Sequence, residues 1–352
     1  MIFIFVLICI LLVLKTTYTR KGFNREYISP ETMLPWKGFF ILLIFMSHMV
    51  GGWHGNINLF DQIYININDL IIGQLVVVLF LFLSGYGVIC SIDKKGQNYL
   101  NEFPKKRIFK TWIHFAIIVL LYGGLQFLLG NSYNLKTVIK ALIAIDSLGN
   151  SNWYIFAILY LYIASFIGFF LGKLLNKKLY LALGTSFVLL SVLIYMIIFR
   201  KVLQYSTVWY DSIVCYVMGM VFYLIEDRVL KIVQFKTYRY WCVLVMVCLV
   251  FAGNRLFLFS QYNYLIYFWI QSMAIIAFVL LFSMKFTCKS KLLSWCGKNL
   301  FYIYILQRIP FIILDYIGLS NLYLYFIIAT IGTIFLVYAM QKIFRKMDSI
   351  LF

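Results

Sequence analysis

Residues 35–52 read PWKGFFILLIFMSHMVGG. This is an apolar helix with one cation at its start, Lys37, and one imidazole deep within it, His48. Eleven steps of about 100° bring both side chains to the same face, roughly 16 Å apart along the axis at about 1.5 Å per residue. That is near half the thickness of a bilayer core. If Lys37 sits at a membrane surface, His48 lies close to the midplane. An ionisable group there is costly, and its default reading is a functional site. The other helices are then expected to form a cage around it.

The rest of the chain has the same apolar character. Its residues are 64% hydrophobic and only 12% charged, well beyond a soluble domain. The expected fold class is all-α: a polytopic transmembrane helical bundle of about eleven spans. The domain reading is a first span and basic linker over 1–30, then a membrane domain over 31–352. The net charge of +19 does not point to nucleic acid, because Lys and Arg gather in alternate connections, the positive-inside pattern. Of 31 basic residues, 25 fall in segments this pattern places inside, five in outer loops, and one, Arg308, within a span. The expected topology is N-out and C-in. The seven cysteines form no CxxC and no Cys/His metal spacing, and read as small buried hydrophobes.

The expected spans run from Met1–Leu14, extended by Thr16–Thr19, through the central helix to Ile71–Cys90 and Trp112–Leu129. Trp153–Leu171, Leu179–Phe199, Val208–Ile225, Trp241–Gly253 and Tyr264–Met284 follow. Leu300–Leu314 and Tyr323–Met340 complete the set. The absence of an internal repeat weakens a transporter reading.

Candidate chemistry begins at His48, whose neutral imidazole can take a proton from an attacking hydroxyl and return it. The bland alternative is a histidine bonded to a neighbouring helix. His54, in an outer glycine-rich turn, and His114, near a helix start, read as interfacial. In LFLFLSGYGV, residues 79–88, Ser84 and Tyr86 offer hydroxyls to a polar cavity near His48, or the small residues simply let helices pack closely. In FPKKRIFKTW, residues 103–112, Lys106, Arg107 and Lys110 form either a solvated basic loop or a docking site for a phosphate-bearing ligand. In GKNLFYIYILQR, residues 297–308, Arg308 is deep enough to need a partner such as Asp211 or Asp315, or a polar cavity, and Tyr304 and Gln307 lie on the same helix. Trp153, after Asn152, opens a span and is also the kind of residue found in an aromatic belt.

Taken together, these segments resemble the integral-membrane acyltransferases of the "acyltransferase 3" type, bacterial enzymes that O-acylate cell-surface sugars. Lys37 and His48 match that family's basic residue, ten-residue gap and histidine, with Lys where Arg is usual. FLFLSGYG at 80–87, KKRIFK at 105–110, NWYIFAILYLY at 152–162 and GKNLFYIYILQRIPF at 297–311 resemble its later motifs in order. Tyr304 matches a Tyr-x-x-His segment whose histidine is here Gln307.

The resemblance implies a multi-pass enzyme of the bacterial cell membrane, with acetyl-CoA as acyl donor and no metal. The acceptor would be a capsular or other surface polysaccharide, or its lipid-linked precursor. His48 would be the general base, with Lys37 holding the CoA or biasing the histidine. Lys106, Arg107 and Lys110 would meet the nucleotide, while Arg308, Tyr304 and Ser84 support the oxyanion. Membrane lipid is the surroundings, and assembly as a homo-oligomer is left open. The competing reading is a non-enzymatic exporter or flippase for a glycan or lipid; a sensor has no signal module to support it.

Overall fold

A computed structural model describes residues 1–53, 55, 57–69, 73–257 and 264–352. The short apolar helix α1 (Ile2–Val13) ends before Lys15. Thr16–Tyr18 does not extend it. This segment forms strand β1, paired antiparallel with β2 (Phe286–Cys288). Two β-branched threonines and a tyrosine suit a strand better than a helix end, and the ribbon ties the linker to the end of a distant helix.

The central helix α2 (Pro30–Gly51) starts where the sequence supplies a stop and a cap: the Ser29 hydroxyl accepts from the Thr32 amide at 3.3 Å, with Pro30 in the first turn. The connection after it holds a short helix, α3 (Leu59–Ile67), capped by Asn58. Next come α4 (Val78–Phe103), a π-helical turn at Pro104–Phe109, and α5 (Lys110–Leu128). The expected span at 71–90 begins outside the described residues and passes a 3-10 turn at Gly73–Val76 before joining α4. The expected span at 112–129 lies on α5 and the residue after it. Gly96, whose φ of 59° breaks the helix as only glycine does easily, separates the two.

The amphipathic α6 (Leu135–Leu142) occupies the next loop. It is followed by α7 (Trp153–Leu175), α8 (Tyr180–Ile197), α9 (Val214–Val233), α10 (Thr237–Phe257) and α11 (Tyr264–Lys285). After β2 come α12 (Lys291–Lys298), α13 (Leu300–Leu306), α14 (Arg308–Tyr316) and α15 (Leu322–Leu351).

The molecule is thus a helical bundle with one small ribbon. Among the described residues, eight helices are long and apolar enough to cross a membrane. Two expected spans fall outside that set. The helix α1 has only 12 residues, and the expected span at 300–314 is broken into α13 and α14. The break has a local cause: Pro310 has no N–H to give the Leu306 carbonyl one turn back. Just before it, the Ile305 carbonyl accepts from the Tyr122 hydroxyl at 2.8 Å.

Glycines set the two closest helix crossings. A Cβ on Gly38 of α2 would stand 1.8 Å from the Leu293 carbonyl oxygen of α12, and one on Gly297 would stand 2.0 Å from that of Leu34. At the α4–α9 crossing, Gly85 and Gly219 meet the carbonyls of Tyr216 and Phe82 in the same way, at 1.9 and 2.0 Å. Gly85 of the SGYG segment therefore serves close packing, whereas a Cβ on Gly87 would meet nothing within 4 Å.

A candidate active site along one face of the second helix

The helix α2 carries Lys37 and His48 along one unbroken run, and each meets a different environment. At the His48 end, Nε2 of Gln307 lies 2.9 Å from His48 Nδ1. The Tyr304 ring stands 6.1 Å from the imidazole, tilted by 53°. Gln307 and Tyr304 are buried, whereas His48 itself is only half-buried although it lies deep in the bundle, so it borders open space.

The Arg308 guanidinium bears electrostatically on His48, Tyr122 and Tyr304. It has no carboxylate partner among the described residues, and its Nε has no hydrogen bond. Both acids expected to pair with it are engaged elsewhere: Asp211 accepts from Tyr264 at 3.0 Å and Asp315 from Tyr325 at 2.9 Å. The break between α13 and α14 brings Gln307 and Arg308 to this place.

At the Lys37 end the arrangement is cationic. Lys37 is half-buried and makes no hydrogen bond or ion pair among the described residues. The charge that bears on it is another cation, Arg107. Arg107 sits in the π-helical turn and donates from Nε to the Tyr99 hydroxyl at 3.2 Å. Tyr162 and Tyr216 also bear on it. Their hydroxyls continue to Ser84 at 3.0 Å and Ser165 at 2.9 Å. Two basic side chains without a carboxylate partner among the described residues, one of them beside tyrosine hydroxyls, repel each other, and a bound anion would relieve that repulsion.

Lys106 and Lys110 do not join this group. Lys106 pairs with Glu102 at 2.8 Å and Lys110 with Asp348 at 2.7 Å.

A family model described as an acyltransferase domain matches residues 36–342, spanning both ends of this face. The chain belongs to the acyltransferase-3 family. It is therefore an acyltransferase, and a non-enzymatic exporter is set aside. No curated protein and no solved structure matches the chain. The family match begins within α2, so α1 and β1 lie outside it. Among the described residues, no group of three or more His, Cys, Asp or Glu side chains could hold a metal ion.

In this acyltransferase, Ser84 and Tyr86 are not beside His48 as expected. Phe80 packs on Phe40 with ring centres 6.5 Å apart, and α4 then runs toward the Lys37 end. Ser84, one turn on, joins Tyr162 next to Arg107. The Tyr86 hydroxyl donates to Glu226 at 2.7 Å, and Tyr27 donates to the other oxygen of the same carboxylate at 2.6 Å. Tyr86 thus ties α4 to α9 and to the linker. Trp153 is one ring removed from the His48 end: it meets Tyr154 edge-on at 5.8 Å, and Tyr154 meets Tyr304 at 5.4 Å.

His114 is structural. Its Nε2 lies 2.8 Å from Asp348, and its ring stacks on Phe344 at 4.0 Å. His54 lies outside the described residues.

Between the two ends of the α2 face, Ile44, Phe80, Tyr154, Leu300 and Tyr304 enclose an apolar cavity of only about 10 Å³. Ile44 shares the face of Lys37 and His48 by helical spacing. This small void lies between the two polar ends and is apolar, with room for at most one water.

Sequence reasoning missed Tyr99, Tyr162 and Tyr216 as the hydroxyl ring around Arg107. Tyr162 closes the NWYIFAILYLY segment, and its place in that segment is the one signal the sequence offered.

Proposed function

We propose that this acyltransferase is a membrane O-acetyltransferase. It takes an acetyl group from cytosolic acetyl-CoA and places it on a hydroxyl of a surface polysaccharide or its lipid-linked precursor. The observation that carries this reading is the pairing along one helix face of a carboxylate-free Lys37–Arg107 group with His48 beside an ion-pair-free Arg308.

The Lys37–Arg107 end faces the cytosol in this reading and binds the phosphates of the CoA nucleotide, Arg107 by its fork and Lys37 as a point charge. The pantetheine arm enters between the helices at Ile44, where the packing opens to admit it, and presents the thioester at His48. The acceptor hydroxyl comes from the opposite side. Its oxygen bonds to the thioester carbonyl carbon while its proton passes to His48. The carbonyl oxygen becomes an oxyanion, stabilised by Arg308 and Tyr304. Collapse breaks the carbon–sulfur bond, and the departing thiolate takes the proton back from His48. The products are an O-acetyl ester and CoA with a free thiol; no metal or redox partner enters.

Two comparisons test the reading. Surface polysaccharide from cells with and without the gene is compared by proton NMR for an O-acetyl methyl signal. If the gene's loss removes the glycan itself and not its acetyl groups, the proposal fails. Purified protein is also assayed for competition between acetyl-CoA and adenosine 3′,5′-bisphosphate. The proposal expects competition, and it expects this to weaken in Lys37→Met and Arg107→Met.

A further inference from the structure

The contact between Gln307 and His48 determines more than the position of the ring. An amide nitrogen can only donate, so the 2.9 Å contact from Gln307 Nε2 requires an unprotonated Nδ1 on His48. The same amide nitrogen gives its second hydrogen to the Tyr304 carbonyl at 3.2 Å. This second bond fixes which end of the amide is which. Reversed, the amide would set its oxygen 3.2 Å from another carbonyl oxygen, two acceptors facing each other.

With Nδ1 bare, the neutral ring carries its single proton on Nε2. Neither ring nitrogen can then take a proton from a substrate: one lone pair is engaged and the other nitrogen is already protonated. Gln307 meanwhile keeps one unused group. Its side chain is fully buried and its Oε1 has no partner.

We propose that Gln307 is a positioning residue that sets the tautomer of His48 and withholds the base until an acceptor binds. The inference rests on His48 acting as the base. When an acceptor draws the amide away from the Tyr304 carbonyl and turns it, Oε1 accepts from a proton on Nδ1, and the Nε2 lone pair is released. The ring keeps one proton throughout; it leaves Nε2 and returns on Nδ1 by exchange in the open space that His48 borders. The turned amide then points its N–H groups where Oε1 stood, and they need an acceptor there. A second hydroxyl oxygen of a polyhydroxylated acceptor supplies it. Binding of the sugar and arming of the base thus become one event, which protects the thioester from hydrolysis while no acceptor is present.

The test uses the full-length protein in detergent, with ¹⁵N-labelled histidine. The chain has only three histidines, and a His48→Asn sample identifies the His48 signals by difference. The expected wild-type spectrum shows a protonated Nε2 and a bare Nδ1. Gln307→Glu, which can only accept, is expected to reverse the tautomer, and Gln307→Leu to leave a mixture. Acetyl-CoA hydrolysis without acceptor is expected to rise about tenfold in Gln307→Glu and to rise also in Gln307→Leu, where no amide engages the Nδ1 lone pair. A wild-type proton on Nδ1, or one tautomer across all three proteins, overturns the proposal. Should Gln307→Glu fail to fold, the wild-type and Gln307→Leu spectra decide it alone. Acetylation retained in His48→Asn would instead defeat the base assignment and leave the tautomer result standing.

Discussion

The two ends of the α2 face hold charge in opposite ways. At the Lys37 end, two basic side chains, Lys37 and Arg107, bear on each other with no carboxylate partner among the described residues, and the exposed Arg107 donates to the Tyr99 hydroxyl. At the His48 end, an imidazole meets a buried amide, and the adjacent guanidinium has no ion pair among the described residues. The first arrangement waits for an anion that arrives charged. The second suits a group whose charge exists only during reaction. Apolar packing around Ile44 lies between them, and in the proposed reaction an acyl donor is held by its phosphates at one end while its thioester reacts at the other.

This comparison can be broken most severely through the backbone that supports it. Gly38→Val places a branched side chain into the Leu293 carbonyl, where a backbone must move. Overpacking at such a site costs about 1–3 kcal/mol or more. The protein is expected to lose most of its accumulation in membranes, read by immunoblot, and with it both ends at once. A smaller and more selective loss is expected from Arg308→Met: roughly 10²-fold in kcat with KM for acetyl-CoA little changed, as for removal of an oxyanion donor. Equal loss in a binding assay would move Arg308 to the donor-holding end.

Lys37→Met and Arg107→Met should show the converse, with KM raised about tenfold each and kcat nearly preserved, consistent with about 1.5–3 kcal/mol for hydrogen bonds to charged groups. The smallest effects belong to Lys106→Ala and Lys110→Ala. The Lys106–Glu102 pair is exposed on both sides, and such pairs contribute about 0–1 kcal/mol. Less than a twofold change in either kinetic constant is expected. A large rise in KM would return these lysines to the anion site.

The α2 face was legible from sequence because helical spacing is local: Lys37 and His48 must align on any continuous helix. The bundle was legible for the same reason, since each apolar run announces itself. What the spacing could not convey lies between elements. Arg107 meets the Tyr99 hydroxyl from within a π-helical turn, which no 3.6-residue reading of KKRIFK anticipates. Tyr86 was expected at His48, yet a carboxylate on α9, more than a hundred residues away, claims its hydroxyl. The contact between Gln307 and His48 joins residues 259 positions apart, and at the level of motif Gln307 registers only as a missing histidine. Thr16–Thr19 reads as a helix extension by sequence, but Thr16–Tyr18 finds its partner strand at Phe286–Cys288, far along the chain.

The central claim is that His48 takes the proton during acyl transfer. It is tested most directly by restoring a strain that lacks the gene with either wild type or His48→Gln, and measuring the O-acetyl methyl signal of its surface polysaccharide at matched protein levels. The account predicts full signal with wild type and loss of about 10²–10⁴-fold in transfer with the variant, leaving no detectable acetyl ester. An unchanged acetyl signal in His48→Gln would contradict it.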